Sequence, residues 1–230
     1  MIKITNTETY GWEAAIRGMR NPMNSWEKSD SHECFASIGQ DCSMAEHDHE
    51  PALECNNGER SYCIGAKDFA LMKGLAIAGR DHAKYRRMIT VSFDVVAPLY
   101  WWKEFDTYKV GTVANSCSTM HKIHTKEFDY DDFSHDHLDT YGMTVLKITI
   151  EALNFNRDKF NETKDKEHWY KMIQLLPSSY NQKRTIMLNY EVLAGMYKAR
   201  KAHKLDEWVA FCDWIKTLPY SEIITGEEHE

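Results

Sequence analysis

The chain has no apolar run approaching the ~20 residues that a membrane-spanning helix requires. Its first residues, Met1-Ile2-Lys3-Ile4-Thr5, contain no apolar signal-peptide core. An excess of positive charge is also missing: 28 Lys and Arg stand against 35 Asp and Glu, a formal net charge of −7. That excludes coating of nucleic acid through bulk charge and leaves room only for a local basic pocket. Close cysteine pairs are absent too, since the six cysteines, at 34, 42, 55, 63, 117 and 212, include no Cys-x-x-Cys. Membrane, collagen-like, coiled-coil and wholly disordered classes are thereby excluded. What is present is ordinary: 43% apolar and 27% charged residues in a chain of 230, enough for one large domain. The expectation is a soluble cytoplasmic protein with free thiols.

Four cysteines fall between Ser29 and Cys63, together with His32, His47 and His49. Thiolate and imidazole suit zinc. The spacings of seven, twelve and seven intervening residues match no zinc-finger pattern. This stretch is expected to be an irregular insertion at about 21–63 that holds no metal.

Residues 2–10 read as a strand, and Gly11 opens a helix through Met19. From Asn21 to Arg60 the chain is polar, with a turn signal at Asn56-Asn57-Gly58. Phe69, Met72, Leu75 and Ala76 recur at helical spacing within Ala66–Ala78, and Gly79 stands where a helix terminates. Met88–Val96 reads as a buried strand closed by Ala97-Pro98, and aromatic Leu99–Phe105 starts a helix. Asp129–His137, acidic and carrying His135-x-His137, reads as a solvated loop. Helices follow over 138–156 and 166–175, the second ended by Leu176-Pro177.

Leu188–Arg200 reads as a helix on which Asn189, Leu193, Met196 and Arg200 share one stripe. Its polar ends lie about 16 Å apart, the span of an extended nucleotide-sized ligand. An interfacial helix with a salt-bridged Arg200 is the other reading. The last helix presents Leu205, Trp208, Val209, Cys212 and Ile215 to the core, with Cys212 as a small hydrophobe.

The run Leu176-Pro177, eleven residues, Asn189, three residues, Leu193, six residues, Arg200 resembles the C-terminal signature of flavin-dependent thymidylate synthases. Phe93-Asp94-Val95-Val96-Ala97-Pro98 is similar to the strand that leads, in that family, into a helix bearing Arg-His-Arg-x-x-Ser-x-Asn-Glu-x-Ser-x-Arg-Tyr. With one extra residue near Ala114, the counterpart here is the stretch from Thr107 to His121. Asn115 and Ser118 match. Thr107-Tyr108-Lys109 stand in place of the flavin-holding Arg-His-Arg, Ser116 in place of Glu, Met120 in place of Arg and His121 in place of Tyr. Ile173 occupies a nucleotide-contacting Arg position. The resemblance covers about residues 64–215.

The resemblance implies an α+β fold, a mixed sheet with helical layers, as a single domain over 1–230 carrying the Cys/His insertion. It also implies a homotetramer with sites built between subunits. Arg200, Ser118, Asn115 and Lys109 would contact a nucleotide, and Asn189, Tyr108 and Thr107 would face FAD. The family's reaction resembles methylene transfer from a reduced folate to dUMP, followed by reduction through flavin. With one flavin-holding cation kept of three, purification without stoichiometric FAD is expected. No catalytic residue is assigned, and the spacing supplies no base for Cys117. Uracil-nucleotide methylation, non-catalytic binding or sequestering of a nucleotide, and a structural oligomer without ligand all remain open.

Overall fold

A computed structural model of the protein describes residues 2–34 and 61–227. The chain begins with strand β1 (Lys3–Tyr10) and helix α1 (Trp12–Arg20). Gly11 between them has φ 90°, and a Cβ there would meet the Met88 carbonyl oxygen at 2.1 Å, so only glycine fits. Two short strands, β2 (His32–Cys34) and β3 (Ser61–Cys63), pair antiparallel with Cys34 opposite Ser61. Helix α2 (Ala66–Ile77), strand β4 (Thr90–Pro98), helix α3 (Leu99–Phe105) and strand β5 (Val113–Ser116) follow. Then come α4 (Thr140–Thr163), α5 (Lys166–Leu175), β6 (Asn181–Asn189), α6 (Tyr190–Arg200), α7 (Asp206–Lys216) and α8 (Glu222–Thr225). The order in the four-stranded sheet is β1-β4-β6-β5, and the sheet is open and antiparallel.

The α+β class holds, with antiparallel pairing where the sequence reading expects a mixed sheet. Three local expectations are corrected. The stretch from Thr107 to His121, matched to a helix, is instead a turn, the exposed strand β5 and a further turn. Gly111 at φ 81° and the extended Val113–Ser116 prevent a helix there. The helix expected over 138–156 runs on to Thr163 and is stopped by Lys164 at φ 58°. The helix expected from Leu188 begins at Tyr190, because residues 181–189 are β6. Most of the Cys/His insertion, including Cys42, His47, His49 and Cys55, lies outside the described residues. Among the described residues no helix is long and apolar enough to cross a membrane.

The chain divides into two compact units. The first comprises residues 1–7, 93–186 and 204–211. An aromatic cluster centres on Trp101, whose ring centroid lies 4.8 Å from Trp102, 4.9 Å from Trp208 and 5.6 Å from Phe211. Burying each such ring contributes about 1.5–3 kcal/mol. In a second cluster, Leu146, Ile150 and Leu153 of α4 pack with Phe128, Phe133 and Met172.

The second unit comprises residues 8–92, 187–203 and 212–230. Trp12 packs edge-on against Tyr190 and Tyr220, at 5.3 and 5.4 Å. Its buried charges are paired: Arg20 with Asp68 at 2.6 Å, and Arg86 with Glu191 at 2.9 Å.

Candidate functional site

In the first unit the candidate residues follow α3. Thr107 donates its hydroxyl to the Glu104 carbonyl at 2.7 Å and so finishes the helix. Tyr108 packs edge-on to Trp208, centroids 6.0 Å apart. Lys109 is exposed, and Asn115 lies on β5, all of whose residues are exposed. Ser118 turns the chain after β5, its oxygen accepting the N–H groups of His121 at 2.8 Å and Met120 at 3.2 Å. The hydroxyl proton is still available to donate to a ligand.

Strand β6 fixes this segment from beside it. The Cys117 N–H donates to the Lys183 carbonyl at 2.9 Å, and the Gln182 amide donates to the Cys117 carbonyl at 2.7 Å. Gln182 in turn accepts from Arg184 at 3.0 Å. Arg184 pairs with Asp106 at 2.6 Å and lies 4.2 Å over the Trp102 ring. Lys183 reaches Asp94 at 2.9 Å. Hydrogen bonds from Thr185, Lys183 and Asn6 hold the Asp94 carboxyl down to about 2.

Beyond Ser118 opens a cavity of about 380 Å³, within the size range of ligand sites. Cys117, Ser118, Lys122, Lys126, Phe128 and Tyr180 line it. Two aromatic rings, two ammonium groups, the hydroxyls of Ser118 and Thr125 and the carboxylates of Glu127 and Asp132 form a mixed lining, in which Lys126 is paired with Asp132 at 2.9 Å. Lys126 is held in its charged form by the hydrogen bonds it donates to Asp132 and Asp129, which outweigh its partial burial. Burial raises the Tyr180 phenol, keeping it a neutral hydrogen-bonding group. Of the expected contacts, only Ser118 reaches this cavity. Sequence reading missed Lys122, Lys126 and Tyr180. The antiparallel bridge between Phe133 and Tyr180 joins the two segments that build the lining, a pairing with no local signal.

In the second unit, Asn189 and Arg200 stand at opposite ends of α6. Asn189 is the N-cap, its side-chain oxygen accepting the Val192 N–H at 3.0 Å. Its amide hydrogens remain to serve a ligand. Leu193 and Met196 are fully buried, so the middle of the expected stripe is core and a ligand could meet it only at its ends. Arg200 is half-buried, with Nη1 3.0 Å from the His203 Nε2. Burial pushes the Cys212 thiol up to about 11, so it is a packed thiol and not a nucleophile. Cys117 is exposed, whereas Cys63 and Cys212 are buried.

No protein-family model and no curated protein matches the chain. Solved structures do. Thymidylate synthase X from Helicobacter pylori, determined with FAD and dUMP, superposes with a TM-score of 0.63 at 15% identity, over 99% of this chain and 98% of that one. A second structure of the Helicobacter pylori enzyme complexed with FAD and dUMP gives 0.64 at 15% identity, over 98% of each chain. The UMP/dUMP methylase PolB from Streptomyces cacaoi, bound with 5-Br dUMP, gives 0.56 at 12% identity, over 98% and 95%. The polypeptide therefore has the flavin-dependent thymidylate synthase fold over nearly its whole length.

Proposed function

We propose that the protein binds a uracil nucleotide. The observation that carries this reading is the fold match over nearly all of both chains to structures containing dUMP or its bromo analogue. The cavity beside Ser118 adds aromatic faces for a base, a hydroxyl donor and the Lys122 ammonium for phosphate, beside Lys126 paired with Asp132. Ser118, Asn115 and Lys109, and separately Arg200, are the contacts assigned to the nucleotide. A homotetrameric, single thymidylate synthase-like domain with an insertion at about 21–63 belongs to the same reading. Its free thiols fit the cytoplasm.

A second reading is favoured by Thr107-Tyr108-Lys109. The Thr107 hydroxyl is spent on the Glu104 carbonyl and Tyr108 packs on Trp208, which leaves Lys109 as the one cation these three residues offer an anionic cofactor. These residues do not fit the flavin contacts of the family pattern, and we derive no step through flavin. The protein is then a binder or sequesterer of nucleotides, and methylation requires flavin to be held by other residues.

Calorimetry with dUMP, UMP and FAD separates the readings. Nucleotide binding without FAD supports the binder; an FAD complex with visible absorbance at one per chain supports a synthase. Arg200→Ala should weaken nucleotide binding by about 2–3 kcal/mol, and Arg200→Lys should recover only part of it. If neither dUMP nor UMP binds, the proposal fails. If the Ala variant binds as wild type does, the Arg200 assignment fails.

A further inference from the structure

Helix α4 has two apolar faces. Leu146, Ile150 and Leu153 point into the core of the first unit. On another face, Tyr141 is 78% exposed, Val145 49%, Ile148 59% and Phe155 60%, with Ala152 half-exposed between the last two. The steps along this row are four, three, four and three residues, the 3.5-residue period of a helix–helix seam. It runs about 21 Å along one helix. Scattered exposed apolar residues are ordinary on a protein surface; a continuous row at seam spacing is not.

The row also reads nearly the same in both directions about Ile148. Tyr141 and Phe155 are aromatic and equidistant from it, and Val145 and Ala152 are smaller and lie on either side. Lys147 and Glu151 lie on one flank. In an antiparallel pair of identical helices that flank meets its own copy, which brings each Lys147 within reach of the partner's Glu151. In a parallel pair it would meet Gly142, Thr149 and Asn156, which carry no charge. We propose that α4 packs antiparallel against α4 of a second copy of this chain, with the two-fold axis at Ile148. Tyr141 then packs on the partner's Phe155, giving the self-complementary contact of an isologous dimer. This deepens the oligomer reading above by naming the face and its direction, and it does not depend on any nucleotide.

Light scattering gives the mass of the full-length protein, and cysteine crosslinking locates the contact. Crosslinked peptides are identified by mass spectrometry, since native cysteines are present. Wild type should be a dimer or larger. Ile148→Asp, at an exposed position, should weaken association on the order of a hundredfold or more by burying two unpaired charges. Should Ile148→Asp fail to fold, the crosslinks alone decide. Ile148→Cys should form a 148–148 disulfide. Tyr141→Cys alone should not link to itself, whereas Tyr141→Cys combined with Phe155→Cys should link 141 to 155. A monomeric wild type would overturn both the oligomer reading and this one. An oligomer that is unchanged by Ile148→Asp and gives no 148–148 link overturns only the α4 interface. A 141–141 link means parallel packing and overturns the proposal.

Discussion

Asp68 offers the sharpest test of how the second unit is held together. It is fully buried on α2 and accepts from Arg20 Nε at 2.6 Å, from the hydroxyls of Ser29 at 2.6 Å and Ser31 at 2.7 Å, and from the N–H groups of Asp30 and Ser31 at 3.1 and 3.2 Å. Asp68→Ala leaves the Arg20 guanidinium, itself only 4% exposed, with the Ser25 and Lys28 carbonyls and no counter-charge. An orphaned buried charge costs about 3–5 kcal/mol. In a chain of this size that should lower Tm by about 6–20 °C. Replacing both partners, Arg20→Met with Asp68→Leu, should cost less than the single change, because the desolvated charge goes with its partner. Burial alone would raise the Asp68 pKa, but the hydrogen bonds from Ser29, Ser31 and Arg20 outweigh it and hold the pKa below 3.8. The stability it contributes is therefore full above the unfolded-state value and is lost as pH falls through the lowered folded value. Thermal melts and urea titrations from neutral to acidic pH would measure both effects. A single-variant loss under about 1 kcal/mol at neutral pH, or a double variant worse than the single, would refute the reasoning.

The same cluster ties the two ends of the insertion. Asp30 accepts the Lys67 and Asp68 N–H groups, Ser31 accepts the Gly65 N–H, and β2 pairs with β3. Replacing residues 35–60 with Asn-Gly should thus close a hairpin and leave Tm within a few degrees of wild type; loss of cooperative unfolding would contradict it. Thiol labelling of the native protein should modify Cys117 and spare Cys63 and Cys212 until it unfolds, as peptide mass spectrometry would record.

Much of this architecture can be read from local pattern. β1, α1, α2, α3, α5 and α7 fall close to where periodicity, Gly11 and Pro177 place them. β6 escaped because its alternation is masked: Gln182 and Arg184 stand at inward positions beside Ile186 and Leu188, while Met187 points out. Those two polar residues are inward because they hydrogen-bond each other and reach Cys117 and Asp106, partners far away in the chain. The seven residues by which α4 outruns its apolar period are supported by contacts from other segments, such as Phe160 against His124 at 4.8 Å and the Asn156 carbonyl oxygen 2.9 Å from the His168 ring. At the candidate site, Ser118 could be named from its motif. Lys122, Lys126 and Tyr180 could not, since tertiary pairing brings them together.

A fold kept at 12–15% identity and a ligand site are held by different constraints. The cluster around Trp101 needs only apolar volume in the right pattern, so sequence can drift while the backbone persists. A site that grips phosphate needs particular donors at particular distances. The guanidinium fork is not replaced by a hydroxyl or a phenol. Thr107, Ser116 and Met120 sit exposed on turns and a strand, whereas Tyr108 packs inward against Trp208. Arg200 keeps its place on a helix whose next turn inward is fully buried. Under the proposed nucleotide reading, Lys126 stands at the cavity beside Ser118, whereas Lys109 stands on an exposed turn. Lys126→Ala should for that reason weaken nucleotide binding more than Lys109→Ala does.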